Sequence, residues 1–265
     1  MAWRLFRGKD GRVKLDFKGK VVLITGGTSG IGLAAARLFM SSGAKAVIAG
    51  RSASRGEMAV RELAASGEAA FLPCDVSLVS ECERLVSETL AKYGRLDVLV
   101  NSAGAYLEKA IGDMTEADYD KVMAVNVKGT YFMCRSAARA LRLHCGSIVN
   151  VSSDAGLNGN VLCSAYCAAK GAVTLFTKAL ALELAPYGVR VNCVCPGDIA
   201  TPMLQQQVEL QMNPLEYSKE MASVYPLGRI GTAQEVAGVI VFLASDAASF
   251  VTGAAWSVDG GLTAT

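Results

Sequence analysis

Histidine occurs once in the 265-residue sequence, at His144, so an imidazole relay or a histidine-rich metal site is not expected. Proline is scarce, at six residues, and no stretch rich in proline, glycine and serine divides the chain. Charged residues make up 19% with a net charge of +2, which gives no general attraction to nucleic acid or a membrane surface. No apolar run approaches the ~20 residues of a membrane span, and the N-terminus lacks a signal-peptide apolar core. The eight cysteines, without an export signal, are expected as reduced thiols rather than a disulfide framework. Cys193 and Cys195, two apart in an apolar stretch, find no second such pair to complete a four-ligand zinc set and are expected on one face of a buried strand. These absences leave the expectation of a cytoplasmic protein without a metal.

Apolar residues are abundant, 52% with a mean hydropathy of +0.33, enough for a large interior and for some apolar surface shared between subunits. Residues 1–17 stand apart: Trp3 and Phe6 lie among basic residues without a period, and a frayed N-terminal extension is favoured over a short anchor. From Lys20 onward, short apolar runs alternate with helical patterns. The strand candidates are Val21–Thr25, Ala46–Ala49, Phe71–Leu72, Leu96–Val100, Ser147–Val151, Val189–Val194 and Ala255–Val258. Continuous apolar strands separated by helices predict a parallel sheet covered on both faces, a single doubly wound α/β/α domain of Rossmann type over residues 18–265. Ligands of such a sheet bind outside the carboxyl ends of the strands, where the strand order reverses. Residues 203–226, rich in Gln and Met and bounded by Pro202 and Pro226, break the alternation and suit a lid over those ends.

The first strand candidate runs directly into Thr25-Gly-Gly-Thr-Ser-Gly-Ile-Gly32, which then opens a helix. Gly26, Gly30 and Gly32 let the backbone turn tightly and approach a pyrophosphate, with Thr28, Ser29 and Ile31 completing the loop; an ordinary glycine-rich turn is the competing reading. The second strand ends at Gly50-Arg51 where an NAD-selective site usually carries Asp or Glu. Gly50 leaves room there, and Arg51, with Ser52 and Arg55 nearby, supplies a planar cation for a 2′-phosphate. NADP(H) is therefore preferred, with NAD(H) possible. Asp75, followed by Val76 at the third strand's end, is placed to accept from the adenine amine. Asn101-Ser-Ala-Gly104 after the fourth strand puts small residues, Ala103 and Gly104 among them, where the backbone passes the cofactor.

Tyr166 and Lys170, four apart at the start of a long Ala/Leu-rich helix, project from one face. Ser153 lies thirteen residues before Tyr166, just past the fifth strand candidate. A nearby ammonium favours the phenolate, so Tyr166 is expected to exchange a proton near neutrality although free Tyr titrates near ~10. By itself a Tyr-x-x-x-Lys pair is more often a buried Tyr beside a solvated Lys.

Together these residues resemble the short-chain dehydrogenase/reductase family in its standard-length branch. The likeness spans Lys18 to Leu262. It rests on Thr25-Gly-x-x-x-Gly-x-Gly32, Asn101-x-Ala-Gly104, Asn126, Ser153, Tyr166-x-x-x-Lys170, Pro196-Gly197 and Val258-Asp-Gly-Gly261. The resemblance implies that Tyr166 is the general acid/base, Lys170 holds the nicotinamide ribose and lowers the Tyr166 pKa, and Ser153 hydrogen-bonds the substrate oxygen. It further implies that Asn126 joins a water-mediated proton relay, that Ile199 and Thr201 contact the nicotinamide carboxamide, and that the protein is a homotetramer. Ser102 stands where the family commonly has a second Asn. Asp154, next to Ser153, is read as a solvated loop carboxylate in preference to a substrate contact, and Cys163 as a candidate pocket residue.

The expected reaction is reversible hydride transfer between NADP(H) and a secondary alcohol or ketone, an uncharged cyclic or lipophilic one because the lid is rich in Met, Leu and Tyr. The alternative within the enzyme class is a 3-oxoacyl thioester reductase of fatty-acid type, whose acidic carrier protein would meet Arg135, Arg139 and Arg142; a solvated helix face is the plainer account of those arginines. A dinucleotide-binding sensor or scaffold without turnover is the reading from another class.

Overall fold

The computed structural model describes residues 15–264. Seven parallel strands form one sheet in the order β3-β2-β1-β4-β5-β6-β9. These are β1 (Val21–Thr25), β2 (Lys45–Gly50), β3 (Ala69–Pro73), β4 (Val98–Asn101), β5 (Ser147–Val151), β6 (Arg190–Pro196) and β9 (Ala255–Val258). A separate two-stranded pair, β7 (Ile199–Ala200) with β8 (Gly231–Thr232), lies beyond the end of β6.

Side chains alternate across each strand, so a sheet of buried strands needs cover on both faces. Val22 and Ile24 of β1 join one core with α1 (Gly30–Ser41) and α9 (Ala233–Ala244), while Leu23 between them joins the opposite core. That second core is closed by α3 (Val79–Tyr93), α5 (Thr130–Arg142) and α6 (Ser164–Leu184). Removing each such leucine or isoleucine from water contributes about 1.5–3 kcal/mol, which outweighs the modest β propensity of the runs. The remaining helices are α2 (Ala53–Leu63), α4 (Glu116–Met123), α7 (Pro202–Glu209) and α8 (Pro214–Ser223).

Phe17, assigned to the extension by the sequence, is buried and meets Phe39 of α1 edge-on at a centroid distance of 4.9 Å. Its N–H donates to the Ser42 carbonyl at 2.8 Å, which ties the chain entry to the end of α1. Trp3 and Phe6 lie outside the described residues. No helix among the described residues is long and apolar enough to cross a membrane.

The strand order reverses between β1 and β4, whose last residues Thr25 and Asn101 are paired. The crevice expected for a ligand therefore opens above these two strands. Cys193 and Cys195 both lie buried in β6, and all eight cysteines are free thiols.

Candidate active site

The glycine loop is built for close approach. Gly26 has φ +65°, and a Cβ on it would stand 2.7 Å from the Ser102 carbonyl oxygen, so the β1 and β4 exits touch there through backbone alone. A Cβ on Gly32 would collide with the Gly26 carbonyl. Ser29 leaves α1 without a side-chain cap, and its first turn carries no acidic residue. Helices α4 and α9, in contrast, close their first turns with full capping boxes. An uncapped helix N-terminus at the end of a glycine cradle matches an anionic pyrophosphate, so the residues present fit a dinucleotide. Thr201 approaches from the other side, its Cγ2 3.1 Å from where a Cβ on Gly30 would stand.

Around this cradle the expected contacts divide. Arg51 is exposed and takes part in no ion pair among the described residues. A Cβ on Gly50 would lie 3.0 Å from Thr28 Cγ2, so Thr28 occupies part of the room expected there. Ser52 caps α2 by accepting from the Arg55 N–H at 3.4 Å. Asp75 Oδ1 is engaged by the Ser77 N–H and hydroxyl at 3.0 and 2.7 Å, and Val76 packs under Gly129. Ala103 N–H donates to Thr25 Oγ1 at 3.2 Å.

Two residues expected at the cofactor direct their side chains elsewhere. Asn101 Nδ2 donates to Asn150 Oδ1 at 2.9 Å, and Asn150 passes the bond to Thr177 Oγ1, also at 2.9 Å. This buried chain stitches β4, β5 and α6 together, while Asn101 Oδ1 is buried without a hydrogen-bond partner among the described residues. Ile199 is buried in the first core, its Cδ1 at the Gly231 backbone. Pro196 is buried at the end of β6, and Gly197 lies against the Tyr225 ring, which would meet a Cβ there at 2.7 Å.

The end of β5 and the start of α6 bring Ser153, Tyr166 and Lys170 together. Lys170 is buried, donates from Nζ to the Val151 carbonyl at 2.9 Å, and stands 5.6 Å from the centroid of the Tyr166 ring. Burial lowers its pKa to about 8. Tyr166 departs from the sequence expectation. Desolvation pushes its phenol well above the usual range, and the nearby Ser153 hydroxyl offsets only part of that. Asp154, Cys163 and Asp198 add to the upward push. The protein by itself thus keeps Tyr166 protonated at neutral pH.

Gly104 makes the assembly possible: a Cβ there would stand 3.2 Å from Asn126 Oδ1 and 3.8 Å from Lys170 Nζ. Asn126 sits in a π-helical turn, Ala124–Gly129, between α4 and α5. Its Nδ2 donates to the Ala105 and Val122 carbonyls at 2.7 and 2.9 Å, so both amide protons are used and a relay through the side chain is left with Oδ1. Asp154 is not the solvated carboxylate expected from the sequence. It is buried, accepting from Ser153 Oγ at 2.7 Å and from Asn160 Nδ2 at 3.0 Å.

A cleft of about 310 Å³ adjoins this group, walled by Tyr106, Glu108, Asn160, Cys163, Asp198 and the inner faces of α7 and α8. Tyr106 meets Tyr166 edge-on at 4.9 Å, and its hydroxyl is 3.3 Å from Cys163 Sγ and 3.0 Å from Glu108 Oε2. Cys163 therefore does line the pocket. From α7 and α8 the cleft receives Gln207, Tyr217, Glu220 and Met221, whereas Leu210, Met212 and Leu215 face outward. The lining is more polar than the lid's composition suggested. Tyr106, Glu108, Asn160 and Asp198 were not singled out from the sequence; Tyr106 and Glu108 could have been, since they directly follow Gly104 at a strand exit. Arg135 and Arg142 are already engaged, the first with Glu83 at 3.2 Å and the second over the Tyr187 ring at 4.0 Å.

Comparison with known proteins agrees with this geometry. A family model described as enoyl-(acyl carrier protein) reductase matches residues 26–263. L-fucose dehydrogenase of Bos taurus is 42% identical over 92% of this chain and 90% of its own length. Cyclopentanol dehydrogenase of Comamonas sp. is 41% identical over 92% of this chain and 97% of its own length. Among solved structures, an actinorhodin polyketide ketoreductase with NADPH superposes with a TM-score of 0.89 at 35% identity, covering 92% of this chain and 97% of that one. The chain belongs to the short-chain dehydrogenase/reductase family. It is an oxidoreductase of the type that acts on alcohols and ketones with a nicotinamide cofactor.

Proposed function

We propose that the protein interconverts an uncharged, cyclic secondary alcohol and its ketone with NADP(H) as the preferred cofactor. The observation that carries this reading is the meeting of Ser153, Tyr166 and Lys170 at the β5 exit, beside the open N-terminus of α1. The bound cofactor supplies or removes the hydride, and its oxidised ring brings a positive charge to the site. Gly26, Gly30 and Gly32 with the α1 N-terminus hold its pyrophosphate, Arg51 and Ser52 its 2′-phosphate, and Lys170 and Thr201 its nicotinamide end. Tyr166 exchanges the proton with the substrate oxygen, and Ser153 completes the hydrogen-bonding around that oxygen.

Arg51 and the absence of an acidic residue at Gly50 support NADP(H) over NAD(H). The related fucose and cyclopentanol dehydrogenases are named for ring-shaped alcohols, and the cleft has no Lys or Arg in its wall to greet an anion. The protein is further read as a cytoplasmic homotetramer. The test is turnover of a panel containing cyclopentanol, L-fucose, aldohexoses and an acyl thioester, each with NADP+ or NADPH as required and with the NAD counterpart. Oxidation of a ring alcohol with a higher kcat/KM for NADP+ is expected. Cofactor binding without turnover of any member would favour a sensor instead.

A further inference from the structure

The cleft beside Tyr166 is rich in acceptors and short of donors. Glu108 enters its wall next to Tyr106, whose ring leans on Tyr166 and whose hydroxyl donates to Oε2 at 3.0 Å. That bond spends the Tyr106 proton and leaves Oε1 with no hydrogen bond among the described residues. Asn160 likewise spends an amide proton on Asp154, at 3.0 Å. From the β6 exit comes Asp198, half-buried and in no ion pair among the described residues. Its N–H donates to the hydroxyl of buried Tyr225 at 2.7 Å, which fixes the backbone that presents the carboxyl. Desolvation raises the Asp198 pKa, and Asp154 and Glu108 add to the rise, against a lowering by Tyr225. A donor reaching this carboxyl from the cleft would favour its ionised form. Glu220 of α8 adds a third carboxyl, and no Lys or Arg of the wall answers any of them. Among the described residues no three such groups converge as a metal site. The remaining donors, Gln207 and Tyr217, stand on the lid side.

We propose that Glu108 and Asp198 are specificity-determining residues that accept from further hydroxyl groups of the substrate, so the ring alcohol taken by this cleft is polyhydroxylated. The inference rests on the alcohol–ketone reading above and narrows it. A few placed polar groups fix the orientation of a guest in a cleft, and here those groups call for O–H donors. A plain cycloalkanol has one hydroxyl, and the reaction uses it. Its methylenes would cover the carboxylates, strip their water and return nothing, which loses about tenfold or more for each acceptor left without a partner. Sites built to bond a hydroxyl reject the analogue lacking it far more strongly than an apolar pocket rejects a surplus methylene. Asp198 is less exposed than Glu108, so water can replace a missing donor less readily there and its share of the preference is the larger. Neither carboxylate changes a bond in the reaction.

Initial rates of reduced-cofactor formation by the full chain test this, with NADP+ or NAD+, whichever turns over faster. The matched substrates are cyclopentanol, the isomeric cyclopentanediols and their monomethyl ethers. The best diol is expected to exceed cyclopentanol in kcat/KM by about tenfold or more. Its ether keeps the second oxygen but has no second proton to donate, and should fall back to the cyclopentanol value or below. Asp198→Ala should lower the diol-to-cyclopentanol ratio by about tenfold and Glu108→Ala by less. A merely loosened site would slow both substrates in parallel and leave the ratio alone. Asp198→Asn keeps an acceptor oxygen and should hold most of the preference, which covers the case in which the alanine variant does not fold. A ratio near one in the wild type, an ether as good as its diol, or a ratio unmoved by both alanine variants would overturn the proposal, while oxidation of cyclopentanol would leave the alcohol–ketone reading intact. Preference for an aminocyclopentanol over every diol would also overturn it, in favour of a cationic substrate. Turnover of no ring alcohol at all would overturn the underlying reading with it.

Discussion

The two halves of the site are made of different material. The nucleotide half, from Gly26 to Gly104, is backbone: glycines that let chains touch, an open helix end, and strand exits paired in register. The substrate half, from Ser153 to Tyr225, is side chain: a carboxylate holding a hydroxyl, a tyrosine leaning on a tyrosine, and two short helices closing a cleft. Where the contact is backbone, as at Gly26 and Gly32, the site tolerates no added atoms. A side-chain site keeps its shape through substitutions yet loses its chemistry to a single missing oxygen.

The largest break in that contrast is expected from Tyr166→Phe. Turnover should fall by about 100-fold or more, while the affinity for NADPH measured by fluorescence stays near the wild-type value. Parallel loss of both would make Tyr166 a structural residue. Gly26→Ala attacks the other half. Its Cβ would meet the Ser102 carbonyl oxygen at 2.7 Å in a left-handed conformation, so NADPH affinity should drop about tenfold or more with a cost of about 1–3 kcal/mol in urea unfolding. Arg51→Ala should weaken NADP(H) by about tenfold, the scale of a charged hydrogen bond, and leave NAD(H) kinetics nearly unchanged. An equal change for both cofactors would remove the 2′-phosphate role.

A pH-dependent effect concerns Lys170, which belongs to both halves. Burial lowers its pKa to about 8 from 10.5, so between those values the unfolded chain binds more proton than the folded one. The stability contributed by this residue therefore rises as pH climbs through that window, by on the order of 2–3 kcal/mol. Chemical denaturation of the wild type and Lys170→Met at pH 7.5 and about 10 should show the difference between them shifting in favour of the wild type. A pH-independent difference would mean that Lys170 is solvated in the native state.

The backbone half was the legible one. Gly26, Gly30 and Gly32 after an apolar run announce a turn that only glycine permits, and five-residue strands such as Val21–Thr25 and Ser147–Val151 emerged with the boundaries read from the sequence. Less of the substrate half could be read, because its partners come from distant loops. Nothing local says that Asp154 will be buried, since Asn160 secures it only after the loop folds back. The Tyr166 phenol was expected to be acidic from a lysine four residues away. Spacing reveals that neighbour but not the desolvation that outweighs it. Asn101 and Ile199 carry the right names at the right places, yet their side chains were recruited by Asn150 and Gly231. The short β7–β8 pair has too few residues to leave a periodic trace.

Asn126 grips both the carbonyl and the N–H of Ala105, at 2.7 and 3.4 Å, and the next residue along is Tyr106. Whatever pushes that aromatic wall outward must also pull on the π-helical turn behind it. Cleft width and the setting of the proton-handling residues are thus mechanically joined, and a bulkier guest cannot be admitted on that side without disturbing the machinery meant to transform it.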